Sequence, residues 1–109
     1  MTVTSNSLTV EWAPFQVAVH VTDNQLIDAA NDIEQNFLLK QKGYVRRELL
    51  KGQDNQWIDL VYWTTTEAAA MAAQAATESP VCMNYFSLMQ GAEDTEAGIS
   101  YYQQIRTWN

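Results

Sequence analysis

The sequence is poor in several residue types. It has one cysteine, Cys82, one histidine, His20, two prolines and four glycines in 109 residues. A lone cysteine cannot close an intrachain disulfide, and one Cys with one His cannot complete a structural zinc site. Basic residues are also scarce: six Lys and Arg against thirteen Asp and Glu leave a net charge of −7. Such a surface repels phosphate backbones and anionic lipid, so neither nucleic acid nor a membrane surface is an expected partner. No apolar run approaches the ~20 residues that a membrane-spanning helix needs. Residues Met1 to Ser7 place no basic residue ahead of an apolar stretch, so they do not read as a secretory signal, and a cytoplasmic location is expected. Phosphate loop, nucleophile elbow, zinc motif and dinucleotide fingerprint are all missing, and no metal or cofactor is expected.

Apolar and aromatic residues are abundant. The chain is 47% hydrophobic and carries four Trp, five Tyr and three Phe. That composition suits one globular domain over residues 1–109, long enough to bury a core. In Phe15-Gln-Val-Ala-Val-His-Val21 the apolar side chains Phe15, Val17, Val19 and Val21 share one parity, which predicts a strand. Leu8 to Trp12 alternates as well, and Pro14 between them fits an edge position or a bulge. Thr22 to Gln25 reads as a capping box. It opens an amphipathic helix with Leu26, Ile27, Ala30, Ile33, Phe37 and Leu38 on one side, and Gly43 as the expected stop.

Tyr44–Lys51 and Trp57–Trp63 flank the turn-rich segment Gly52 to Gln56 and should pair as a hairpin. Thr64 to Glu67 reads as a second capping box before an alanine-rich helix running to Ala76, and Ser79-Pro80 opens a short third helix. An acidic loop over residues 90–98 then leads to a last strand over 99–108. The order strand, helix, strand, strand, helix, strand defines an α+β chain. It is the ferredoxin-like split βαββαβ unit, a four-stranded antiparallel sheet with helices on one face. In the third strand Trp57, Asp59, Val61 and Trp63 share one parity, while Ile58, Leu60 and Tyr62 fill the other. A sheet wetted on one side alternates cleanly. Here both faces want cover, and the helix-free face is expected to meet a second copy of itself.

These segments resemble the dimeric α/β-barrel superfamily and, within it, the antibiotic-biosynthesis-monooxygenase-like group. The likeness is carried by Gly43–Lys51, Trp57–Trp63, Thr65–Ala69 and Ser79–Cys82 and covers residues 10 to 108. It implies two protomers joined sheet to sheet into a barrel, each with a pocket between its sheet and helices. It also implies cofactor-free oxygenation of small aromatic or polyketide-like compounds; the alternative from another class is a non-catalytic small-molecule-binding homodimer of the same fold. The haem-degrading branch is similar in having a Trp where Trp63 stands, but its His and Asn have no counterpart in residues 80–86 or 10–22. Haem cleavage is therefore not expected.

The candidate site follows from these placements. Trp57 and Trp63, with Tyr85 and Phe37, are candidate walls for a flat substrate, or else plain core. A carboxylate among apolar neighbours is costly to bury ionised. Asp59 is thus either a catalytic base with a raised pKa or the ion-pair partner of Arg46 or Arg47. His20 is the second candidate base. Cys82 near a helix start is a reactive thiol or an inert buried one. Tyr62, Tyr85, Tyr101 and Tyr102 are candidate donors to a phenol or quinone oxygen.

Overall fold

The computed structural model describes residues 7–90 and 98–108. The elements run β1 (Thr9–Gln16), α1 (Asp23–Asn36), a single 3-10 turn (Leu38–Lys40), β2 (Tyr44–Lys51), β3 (Gln56–Trp63), α2 (Thr66–Ala76), α3 (Pro80–Ser87) and β4 (Ser100–Gln103). The sheet is antiparallel with strand order β2-β3-β1-β4. This is the expected α+β, ferredoxin-like arrangement.

Several local expectations hold for the physical reason given. Thr22 Oγ1 accepts from the Gln25 amide and Gln25 Oε1 accepts from the Thr22 amide, a complete capping box. Ser79 caps α3 with Pro80 in its first turn. Between β2 and β3, Asp54 and Asn55 both adopt positive φ, 55° and 63°, the backbone twist that a tight hairpin turn demands.

Other boundaries differ. β1 stops at Gln16, and Val19 and His20 lie in an exposed turn, so the expected strand over 15–21 is half strand and half connection. Pro14 pairs with Ile58 on one side, and β4 reaches only as far as Trp12 on the other, so its missing N–H costs no ladder bond. α1 ends at Asn36, well before Gly43, because the chain tightens into the 3-10 turn. Gly43 has a different task. At φ +87° it passes so close to α2 that an added Cβ would stand 2.6 Å from Ala68 Cβ and 2.7 Å from Thr64 Oγ1. The cap of α2 is Thr65, accepting from the Ala68 amide, so its third helical residue is Ala68 and no capping box forms with Glu67. The last strand is four residues long, and Gln104 to Trp108 continues without strand pairing. Most of the acidic loop, residues 91–97, lies outside the described residues, as does most of the N-terminal stretch, residues 1–6.

β1 and β3 lie side by side at the centre of the sheet. Their inward face presents Thr9, Glu11, Ala13 and Phe15 from β1 and Trp57, Asp59, Val61 and Trp63 from β3, packed under all three helices. The outward face presents Val10, Trp12 and Pro14 beside Ile58, Leu60 and Tyr62, flanked by Arg46, Glu48 and Leu50 of β2 and Tyr102 of β4. A bulge at Val45 decides which β2 side chains face in. It shifts the register between Tyr44 and Arg46, so that Tyr44 and Arg47 share the inward face and Arg46 points out.

Candidate functional site

A cavity of about 360 Å³ lies between the inward face of the sheet and the helices, at the small end of pockets that hold organic ligands (roughly 300–1,000 Å³). Its walls are mostly apolar: Phe15, Phe37, Val61, Trp63, Phe86 and Met89 among others, with Ala72, Ala73 and Ala76 of α2 opposite the sheet. Alanines at successive turns of α2 leave room where larger side chains would fill the space. The polar groups in this wall are few: Glu11, Arg47, Asp59, Thr77, Cys82, Tyr85 and Tyr101.

They divide into two clusters. At the first, Arg47 Nε donates to Asp59 Oδ1 at 2.6 Å and Nη2 to Oδ2 at 2.9 Å, while Nη1 reaches the Ala30 carbonyl at 2.9 Å. Tyr85 OH donates to Asp59 Oδ2 at 2.7 Å. Both carboxylate oxygens are therefore occupied, by a bidentate guanidinium and a phenol, and the pair is almost wholly buried. Burial, reinforced by the Asp59 charge, pushes the Tyr85 hydroxyl far above the usual phenol range and keeps it a donor. The Cys82 thiol is also pushed up by burial, and Cys82 stays protonated and unpaired with any other cysteine.

The second cluster contains a carboxylate that the sequence reading passed over. Glu11 faces the cavity from β1, and its Oε1 accepts a hydrogen bond from Trp63 Nε1 at 3.1 Å, a diagonal contact across the β1–β3 ladder. Trp63 is 2% exposed and is held edge-on by Tyr44 at 5.7 Å between ring centroids. Burial pushes the Glu11 carboxyl up to about 7; the Trp63 hydrogen bond opposes this, the Asp59 charge adds to it, and the Arg47 charge offsets a little.

The structure brings together Asp59, Trp63, Tyr85 and Phe37 from the expected site. Trp57 shares their face and is buried, but it does not line the cavity; the Lys51 ammonium lies over its ring at 5.6 Å. His20 is exposed in the turn after β1 and is not in the cavity wall. Of the candidate tyrosine donors, Tyr85 and Tyr101 line the cavity, while Tyr62 and Tyr102 lie on the outward face, Tyr62 donating to Glu48 at 3.1 Å under the Arg46 guanidinium. One signal could have found Glu11: it has the same parity as Phe15, so any unbroken strand through Pro14 turns it inward.

No protein-family model matches the sequence, and no curated protein matches it. Solved structures do share its fold. SnoaB, a cofactor-independent oxygenase from Streptomyces nogalater, superposes with a TM-score of 0.66 at 18% identity, covering 96% of this chain and 97% of that one. A conserved protein from Methanosarcina mazei Go1 gives 0.66 at 16% identity, covering 93% and 96%. A candidate antibiotic biosynthesis monooxygenase from Caulobacter crescentus CB15 gives 0.59 at 14%, covering 93% and 92%. The fold is thus shared, over nearly the whole chain, with SnoaB and with the candidate antibiotic biosynthesis monooxygenase from Caulobacter crescentus. Among the described residues no helix is long and apolar enough to cross a membrane.

Proposed function

We propose that the chain is a cofactor-independent oxygenase of small, flat, electron-rich aromatic or polyketide-like compounds. The observation that carries this reading is the cavity itself: an apolar, aromatic-walled space bounded by Trp63 and containing a carboxylate that titrates near neutrality. The likeness in fold to SnoaB supports it. In such a reaction a hydroxylated arene with an acidic CH2 loses a proton, and the delocalised anion reduces oxygen by forming a C–O bond. Loss of water from the resulting hydroperoxide then leaves a carbonyl. One oxygen atom enters the product and the other leaves as water, with all four electrons supplied by the CH2 carbon. The protein's part is to orient the ring between Trp63, Phe37 and Tyr85, exclude water and accept the proton.

A second reading, ligand binding without turnover, is favoured by the saturation of Asp59. A carboxylate held by Arg47 and Tyr85 is a poor base, and His20 lies outside the cavity wall, so neither of the two expected proton acceptors is available there. Calorimetric binding and oxygen uptake, measured over a panel of hydroxylated arenes, separate the two. Uptake with stoichiometric product supports oxygenation, binding without uptake supports the second reading, and a cavity that binds none of the panel removes both.

We further assign the protein as a homodimer joined through the outward sheet face. That face exposes Trp12 and Leu50 around Leu60 and carries Arg46 and Glu48, side chains of opposite sign that suit a self-complementary two-fold contact. Light scattering of the wild type at micromolar concentration should give twice the chain mass, and L60D should give a monomer; a monomeric wild type overturns the assignment. The free, buried Cys82 accords with a cytoplasmic location.

A further inference from the structure

We propose that Glu11 is the proton acceptor of the cavity, and that its substrate is an uncharged hydroxylated aromatic that presents an acidic C–H to Glu11 Oε2. This deepens the oxygenase reading and rests on it for the substrate class.

The argument begins with hydrogen-bond capacity. An ionised carboxylate accepts at two oxygens. Trp63 Nε1 takes Oε1, while Oε2 has no hydrogen-bond partner among the described residues, in a wall where every other carboxylate oxygen is filled. The indole is a donor only, so it fixes the carboxylate plane without competing for the substrate proton. Trp63 is in this sense a positioning residue.

The surroundings decide what Glu11 can accept. From the sheet it sees Asp59 and Arg47, a bidentate pair whose charges cancel, and from β4 it sees Tyr101, opposite it in register. From α3 the cavity-lining titratable groups are Tyr85 and Cys82, both kept protonated by burial; Tyr44 of β2 stands edge-on to Trp63, and its hydroxyl is also pushed up by burial. The lining residues from α1 through the 3-10 turn are Ile33, the junction residue Phe37 and Leu38, and those of α2 and its C-cap are alanines and Thr77, none of them charged. Among the described residues that line the cavity no cation is left to meet an anionic ligand, because the Arg47 guanidinium is spent on Asp59 and the Ala30 carbonyl. A carboxylated or sulfonated arene would put a second negative charge beside Glu11, whereas a neutral carbon acid delivers a proton to it. The C–H bond breaks, the proton moves to Oε2, and the electron pair stays in the arene-conjugated anion.

The test isolates proton removal from oxygen chemistry. A hydroxylated β-tetralone, whose benzylic CH2 beside the carbonyl is acidic, is incubated under argon in D2O, and its exchange is followed by proton NMR. Wild-type protein should accelerate exchange over buffer, with a rate that rises through about pH 7. E11Q, which keeps an acceptor for Trp63, should lose about 100-fold or more, together with the pH limb. E11D should retain part of the rate, and W63F should move the limb to higher pH, since the indole bond favours the charged form. A folded E11Q that exchanges at the wild-type rate, or a wild type that does not accelerate exchange, overturns the proposal. Oxygen uptake on the same probe keeps the two readings apart. Glu11-dependent exchange without uptake leaves Glu11 standing and removes the oxygenase, and uptake without Glu11-dependent exchange does the reverse.

Discussion

Two carboxylates share one cavity wall and have opposite fates. Asp59 receives a bidentate guanidinium and a phenol, and it functions as a brace joining β2, β3 and α3. Glu11, on the neighbouring strand, receives one neutral indole N–H and no cation among the described residues, and burial drives its carboxyl up to about 7. The difference shows that burial alone does not define a working acid or base. What matters is how many of a buried carboxylate's partners compensate its charge.

The largest way to break the contrast is to strip Asp59 of its cation. R47M should destabilise the fold by about 3–5 kcal/mol in urea unfolding, because it strands a buried charge, and R47M/D59L should recover much of that loss. If the single variant were as stable as the wild type, Asp59 would be no better compensated than Glu11.

Titration of stability sharpens the other half. Burial pushes the Glu11 carboxyl up to about 7 in the folded chain, against the ordinary 4.5 of an exposed glutamate, so between those values the folded state binds more protons than the unfolded state. Stability from this group is therefore full below about pH 4.5, falls as pH rises towards 7, and stays low above. E11Q removes the effect. Its advantage over wild type should be absent at pH 4, reach up to about 3 kcal/mol by pH 8, and be read from paired denaturation curves. A gap independent of pH would place Glu11 in water.

Y85F should cost about 1.5–3 kcal/mol by removing a hydrogen bond to a charged acceptor, again by urea unfolding. The smallest effect is expected at an exposed counterpart of the brace. Lys51 Nζ lies 2.6 Å from Asp23 Oδ2, the same separation as Arg47 Nε from Asp59, but both side chains are about half exposed. K51A should change stability by at most about 1 kcal/mol. A loss equal to that of R47M would mean that distance, and not burial, governs these pairs.

How much of this was legible in the sequence differs from element to element. Element order and the inward parity of β3 follow from side-chain alternation, because burial enforces it. Asp59 could be narrowed to two arginines but not to one. The choice is made by the bulge at Val45, an extra residue that turns Arg47 inward and Arg46 outward and leaves no mark in composition. Glu11 was hidden by Pro14, which interrupts the pattern that would have linked its parity to Phe15. His20 drew attention as the only histidine, but β1 ends four residues before it. Chemical identity made His20 a candidate, whereas strand length, set by where pairing with β3 stops, decided its place.

The bond from Trp63 to Glu11 also equips the molecule with an optical gauge. The indole is shielded from water, and its N–H points at a group that gains or loses a full charge near neutrality. The emission of that one tryptophan is therefore tied to the ionisation of the cavity, and light can report the charge state of the site with no label attached.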